Sequence, residues 1–217
     1  MALQRDEVVR TALRLLNEVG IDGLTTRRLA RELGVQSPAL YWHFKNKREL
    51  LDLMAEAMTA EALPPAREPV PEEWPQWLAE DARAKRRALL AYRDGARVHA
   101  GTLPTAGELP AVEAQLSALC RAGLRPRTAL RLLLTIDRYL MGWVTEEQAW
   151  SQDAAERAQP AFPDEALRDL PLLREAADTL RMTDHDADFE YGLQVLIEGF
   201  RSAIAREKAS GPGDPLA

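Results

Sequence analysis

The chain has 217 residues, 46% of them apolar and 29% charged, with a net charge of −6; such a composition suits one domain, or a small domain joined to a larger one. No run of about 18 uncharged apolar residues occurs, which argues against a membrane span, and the opening MALQRDEVVRTALRLL lacks the apolar stretch of a secretory leader. A single cysteine, Cys120, excludes an internal disulfide framework and a multi-thiolate metal site, so a cytoplasmic protein is expected.

The pattern is helical throughout, with no strand alternation. Val9, Ala12, Leu13, Leu16 and Val19 recur at helical spacing, and Gly20 offers a C-terminal cap. Thr25 and Thr26 can cap a second, short helix closed by Gly34. Ser37 is expected to cap a third, with Pro38 at the first helical position, where a missing N–H costs nothing. Asn46 caps a fourth, and Glu49, three residues on, completes a capping-box pattern. Five prolines between Leu63 and Trp77 then break the chain. Longer helices are predicted over 74–93, 109–122, 126–148, 166–182 and 187–207, with a short one between Asp94 and Gly107 and a loop over 151–165. The division expected is residues 1–62 as a head, 63–208 as a body and 209–217 as a disordered tail.

The two longest body helices carry wide apolar stripes. Leu130, Leu133, Leu134, Ile136, Leu140, Met141 and Trp143 cover much of one; Phe189, Leu193, Leu196 and Phe200 line the other. Such a helix is either central to one core or shared with a second subunit. Gly192 and Gly199 would let a neighbouring helix come close.

Charge is uneven along the chain. Residues 1–50 hold nine Lys/Arg against six Asp/Glu, a net of +3, while the remainder is at −9. A basic head on an acidic body can approach a polyanion while the body stays soluble. The second and third helices are joined by LGVQ, with small Ala30 before the turn, Gly34 in it, and Val35 and Leu40 after it; these are the residue types a helix-turn-helix requires. Its second helix can lie in the major groove of DNA. Tyr41, Trp42, His43 and Phe44 are consecutive, and four adjacent rings cannot all face one core. Leu40 and Phe44 are expected inward. Tyr41, Trp42 and His43 are then left for phosphates and base edges, beside Lys45 and Lys47. Arg27 and Arg28 can reach the backbone or a guanine edge.

The stretch GLTTRRLARELGVQSPALYWHFKNKRELLD resembles the N-terminal domain of the tetracycline-repressor (TetR) family. RRALLAYRDGARVHAGTLP, VEAQLSAL, GWVTEEQ and GLQVLIEGF extend the likeness over most of the chain. The resemblance implies an all-α homodimer whose two heads read a palindromic operator in double-stranded DNA, half-sites lying about 34 Å apart or at multiples of that. Carried over by position, Arg27, Ser37, Pro38, Ala39, Tyr41, Trp42, His43 and Lys47 fall at the family's DNA-contacting places. Ser37 stands where the family's tetracycline-responsive members have glutamine, and Ala39 where they have threonine. Glutamine reads adenine bidentately, so altered central half-site bases are expected.

The same likeness implies a body that senses a small-molecule inducer. His99, Thr102 and Glu146 fall at places used around a magnesium ion chelated by the drug, with the glutamate supplied by the partner subunit. Pro104, Val112 and Gln115 fall at pocket-lining places. Leu63, Asp81 and Lys85 replace a histidine, an asparagine and a phenylalanine, and Asp81 and Lys85, at i and i+4, are expected to pair. Mg²⁺ prefers oxygen and water ligands, so His99 and Glu146 would hold it only together with a chelating ligand. No cofactor is obligatory. Tetracycline and a related polyketide-like chelator both remain open. The helix from Asn46 to Ala62 is the expected lever between pocket and head.

Other readings are an activator or ligand-blind repressor of the same fold, a helical scaffold without DNA binding, and an enzyme. No Gly-rich phosphate loop, nucleophile elbow or two-histidine zinc motif supports the last; TDHDAD reads as a polar connection capping the final helix.

Overall fold

The computed structural model describes residues 3–60, 71–153, 165–181 and 184–210. Among these residues the fold is all-α. The head comprises α1 (Arg5–Gly23), α2 (Thr26–Glu32), α3 (Ser37–Leu40) and α4 (Lys47–Ala60). The body follows with a 3₁₀ turn at Pro71–Glu73, then α5 (Trp74–Leu90), α6 (Gly95–His99), α7 (Leu109–Ala122), α8 (Pro126–Asp153), α9 (Pro171–Arg181) and α10 (His185–Ser210). No described helix is long and apolar enough to cross a membrane.

Local caps explain the head. Thr25 accepts a hydrogen bond from the Arg28 N–H at 3.2 Å and opens α2. Gly34 turns the chain at φ 67°, a left-handed value that a side chain would strain. Asn46 Oδ1 accepts from the Glu49 N–H at 3.0 Å, whereas the Glu49 carboxylate reaches back to the Lys45 N–H at 2.6 Å. The capping box expected at Asn46 is thus displaced by one residue on its return arm.

The start of α3 corrects the expectation for Ser37. Gln36 is the N-cap, extended at ψ 144°, and its carbonyl accepts from the Ala39 N–H at 2.9 Å; Ser37 is already helical and makes no cap bond. The helix is also only one turn long. It continues as tightened turns, with the His43 N–H and the Phe44 N–H both donating to the Leu40 carbonyl.

In the body, α5 ends at Leu90 rather than 93, and α8 runs on to Asp153 rather than stopping at 148. The 166–182 element splits into turns and a helix that begins only at Pro171. Asp184 caps α10 as expected, accepting from the Asp186 and Ala187 N–H groups at 3.1 and 3.0 Å.

One apolar core runs without interruption from Val8 in α1 to Ile204 in α10. Within it α5 packs on α8 and α10, α7 on α8, and α4 on α5 and α6. The close approach expected at Gly192 is present, since a Cβ there would collide with the Tyr139 hydroxyl; Gly199 faces open space. Tyr139 stacks on Phe189 with ring centroids 5.5 Å apart. The expected boundary at 62/63, the chain over 154–164 and all but the first two residues of the expected tail lie outside the described residues.

Candidate nucleic-acid interface and ligand site

The head presents two faces. Leu40 and Phe44 are 0% and 2% exposed and anchor the turn after α3 against Leu29, Ala30 and Leu50. Tyr41 and Trp42, between those anchors, are 53% and 89% exposed. An indole left 89% in water contributes almost nothing to this core, so its place needs another account. His43 and Arg28 are half-buried; Arg27, Pro38, Lys45 and Lys47 are exposed, while Ser37 and Ala39 are partly covered. Rings and cations therefore occur together around α3 and the start of α4. Donors and positive charge of this kind suit a phosphate backbone bordering a groove.

The head is tied to the body by polar bonds at two places. At the C-terminal end of α1, the Ile21 N–H donates to the Asp94 carboxylate at 2.9 Å, and Arg97 forms a two-pronged pair with Asp22, both contacts at 3.0 Å. Asp94 is buried, holds a left-handed φ of 57°, and also accepts from Arg97. At α4, Arg48 donates to the Ala100 carbonyl at 3.3 Å, just past the C-terminus of α6. The short α6 thus touches the head at both of its ends.

Of the expected ligand residues, His99 and Thr102 meet at the C-terminal end of α6. His99 Nδ1 faces the Thr102 hydroxyl at 3.4 Å, and that hydroxyl donates to the His99 carbonyl at 2.7 Å. Asp81 and Lys85 pair at 2.9 Å, both half-buried, as their spacing suggested. Val112 and Gln115 on α7 are half-buried and Pro104 is exposed; Leu63 lies outside the described residues. Glu146 is exposed on α8, while its neighbour Glu147 turns inward to Arg86. Among the described residues of one chain, no three His, Cys, Asp or Glu gather where they could share a metal ion.

Two residues not singled out in the sequence are central here. Asp137 Oδ1 lies 3.5 Å from His99 Nε2. Burial opposes its charge, but the hydrogen bond and charge of His99, with Lys85 and Arg138 beyond, outweigh that and hold its carboxyl below the usual carboxylate range. The available signal was an acid within an apolar stripe, since Leu133, Asp137, Leu140 and Val144 follow one helical face. Arg86, 8% exposed, is the other. It binds the Glu147 carboxylate through Nε and Nη2, meets Asp186 through Nη1, and lies 4.9 Å from the Phe189 ring centroid. Burial works against the Arg86 charge, and the bonds from Asp186 and Glu147 more than offset it, raising its pKa.

Comparison with known proteins bears on both faces. Residues 8–54 match the model of bacterial regulatory proteins of the tetR family, and residues 68–204 match that of the tetracyclin repressor-like C-terminal domain. The chain is 51% identical to the tetracycline repressor protein class A from transposon 1721 of Escherichia coli, over 97% of this chain and 96% of that protein. A solved TetR(class A) in complex with 5a,6-anhydrotetracycline and magnesium superposes with a TM-score of 0.68 at 44% identity, covering 92% of this chain and 99% of that one. The Streptomyces coelicolor TetR family protein ActR in complex with actinorhodin superposes with a TM-score of 0.80 at 29% identity, covering 94% and 98%.

Proposed function

The chain belongs to the TetR family of bacterial regulatory proteins and is a ligand-responsive transcriptional repressor, and from that premise we propose how its parts divide the work. Residues 1–62 form the DNA-binding head, 63–208 the ligand-binding and dimerisation body, and two chains act together on a palindromic operator in the cytoplasm, without catalysis. Leu130 and Leu134 on α8, with Tyr191 and Val195 on α10, remain exposed in the single chain; pairing of these faces would bury them.

The observation that carries the DNA reading is Trp42, almost wholly in solvent beside Tyr41 while Phe44 is locked in the core. Tyr41, Trp42 and His43 face base edges and phosphates. Arg27, Arg28, Lys45 and Lys47 supply positive charge, and Ser37, Pro38 and Ala39 set the close approach of α3. Ser37 and Ala39 lack the bidentate amide that selects adenine, so the preferred half-site differs from that of the tetracycline operators.

The inducer is a chelating, polyketide-like molecule of the tetracycline type. His99 and Thr102 offer an imidazole and a hydroxyl to a divalent cation, and such a donor set fits Mg²⁺ once a chelating ligand adds oxygens. Bound Mg²⁺ would supply the positive charge that joins the ligand's oxygens to this site. The Asp81–Lys85 pair replaces a neutral wall, which favours a ligand with polar edges over tetracycline itself.

Release follows from differential binding: a thousandfold loss of operator affinity needs about 4 kcal/mol of preference for the non-binding arrangement. The Arg48–Ala100 and Ile21–Asp94 bonds are the contacts through which α6 can pass that preference to the head. The test is a salt-dependent mobility shift on the DNA upstream of the protein's own gene, repeated with tetracycline and related polyketides, with and without Mg²⁺. A specific complex dissolved by a chelator only when Mg²⁺ is present is the expected result. A complex indifferent to every chelator would remove the inducer reading, and absence of any specific complex would remove the operator reading.

A further inference from the structure

Asp137 stands within reach of the His99 nitrogen that faces away from Thr102. The Asp137 side chain is 42% exposed, so solvent and incoming groups reach the carboxylate while it faces His99. Leu133 and Leu140 precede and follow Asp137 along one face of α8, and its contact with His99 crosses to α6. Lys85 pairs with Asp81 at 2.9 Å and adds only a favourable charge at longer range, so the contact of Asp137 is with His99.

We infer that Asp137 is a second protein ligand, supplied by the same chain as His99, for a divalent cation at this site. This rests on the proposed chelate reading and deepens it. Adjacent ligands about 2.1 Å from Mg²⁺ and at right angles stand about 3 Å apart, so the 3.5 Å between Nε2 and Oδ1 closes with a small rotation of either side chain. A carboxylate on the metal cancels part of its charge and leaves fewer positions for the ligand to fill. The metal is then held by two protein groups before any chelator arrives, where His99 alone would hold it only through the chelator.

The probe is Mn²⁺ alone, titrated into the full-length protein and followed by electron paramagnetic resonance of the free ion, for wild type, Asp137→Asn and His99→Ala. Circular dichroism melts check that each variant is folded. One weak site per chain is expected in the wild type, weakened by about tenfold or more in either variant, with Asp137→Glu retaining much of it. Wild-type affinity in Asp137→Asn together with loss in His99→Ala would overturn the role of Asp137 and leave the chelate reading intact. No Mn²⁺ binding to the wild type would overturn it as well. A parallel fluorescence titration with tetracycline and Mg²⁺ reports on the chelate reading separately.

Discussion

The backbone N–H of Ile21 donates to the side chain of Asp94 at 2.9 Å, joining the end of the first helix to the start of the sixth across 73 positions of sequence. Asp94 is the one non-glycine residue with positive φ among those described, and it is buried. A residue held in that conformation persists only where its surroundings over-determine it. Asp94→Ala leaves the Ile21 donor unsatisfied and keeps the backbone strain, so it should destabilise the fold by about 1–3 kcal/mol in urea denaturation. Asp22→Ala, which removes only the solvent-exposed partner of Arg97, should cost much less. Equal losses in the two variants would show that Asp94 does not organise this joint.

Trp42 and Phe44 are two residues apart and should behave as opposites. Trp42→Ala removes a solvent-exposed ring, so stability should change by less than about 0.5 kcal/mol while operator affinity falls. Phe44→Ala empties a core position and should cost about 3–5 kcal/mol, abolishing binding through the fold of the head. Lys47→Ala should weaken all duplexes alike and reduce the slope of log affinity against log salt by about one. Mobility shifts paired with thermal melts separate the three.

Arg86 is the polar hub of the body, bound to Glu147 on α8 and Asp186 on α10. Removing one member of a buried ion pair strands the other. Arg86→Ala should therefore destabilise by about 3 kcal/mol or more, and Glu147→Gln, which keeps a hydrogen-bonding amide, by clearly less. Chemical denaturation of both variants checks the order; a milder effect of Arg86→Ala would show that water reaches Glu147.

Gly192 admits the ring of Tyr139 against α10, where the phenol donates to the Phe189 carbonyl at 2.7 Å. Gly192→Ala should cost about 1–3 kcal/mol by overpacking, even though alanine favours the helix. Combining it with Tyr139→Ala should give less than the sum of the two losses, because the clash disappears with the ring.

The same phenol makes a pH prediction. Burial pushes Tyr139 up to about 12 from an ordinary value near 10. Its folded state holds the proton more tightly than its unfolded state, so its contribution to stability is complete below pH 10 and is lost as pH rises toward about 12. Absorbance titration at alkaline pH should show one of the four tyrosines ionising late, together with unfolding. Tyr139→Phe should remove that late component and flatten the alkaline loss of stability.

The helical class, the turn between α2 and α3, the caps at Thr25, Asn46 and Asp184, and the outward rings at Tyr41 and Trp42 were all readable in the chain. Each depends on residues within about one helical turn of each other, where side chain and backbone meet whatever the rest of the molecule does. The Asp81–Lys85 pair was readable for the same reason. Tertiary structure decided the rest: the one-turn length of α3, the meeting of Asp137 with His99, the Arg86 hub and the Ile21–Asp94 joint. Periodicity tells which face of a helix is apolar but not its partner or rotation. A polar group on a helix finds its counterpart across the fold only once packing of the apolar faces has set both.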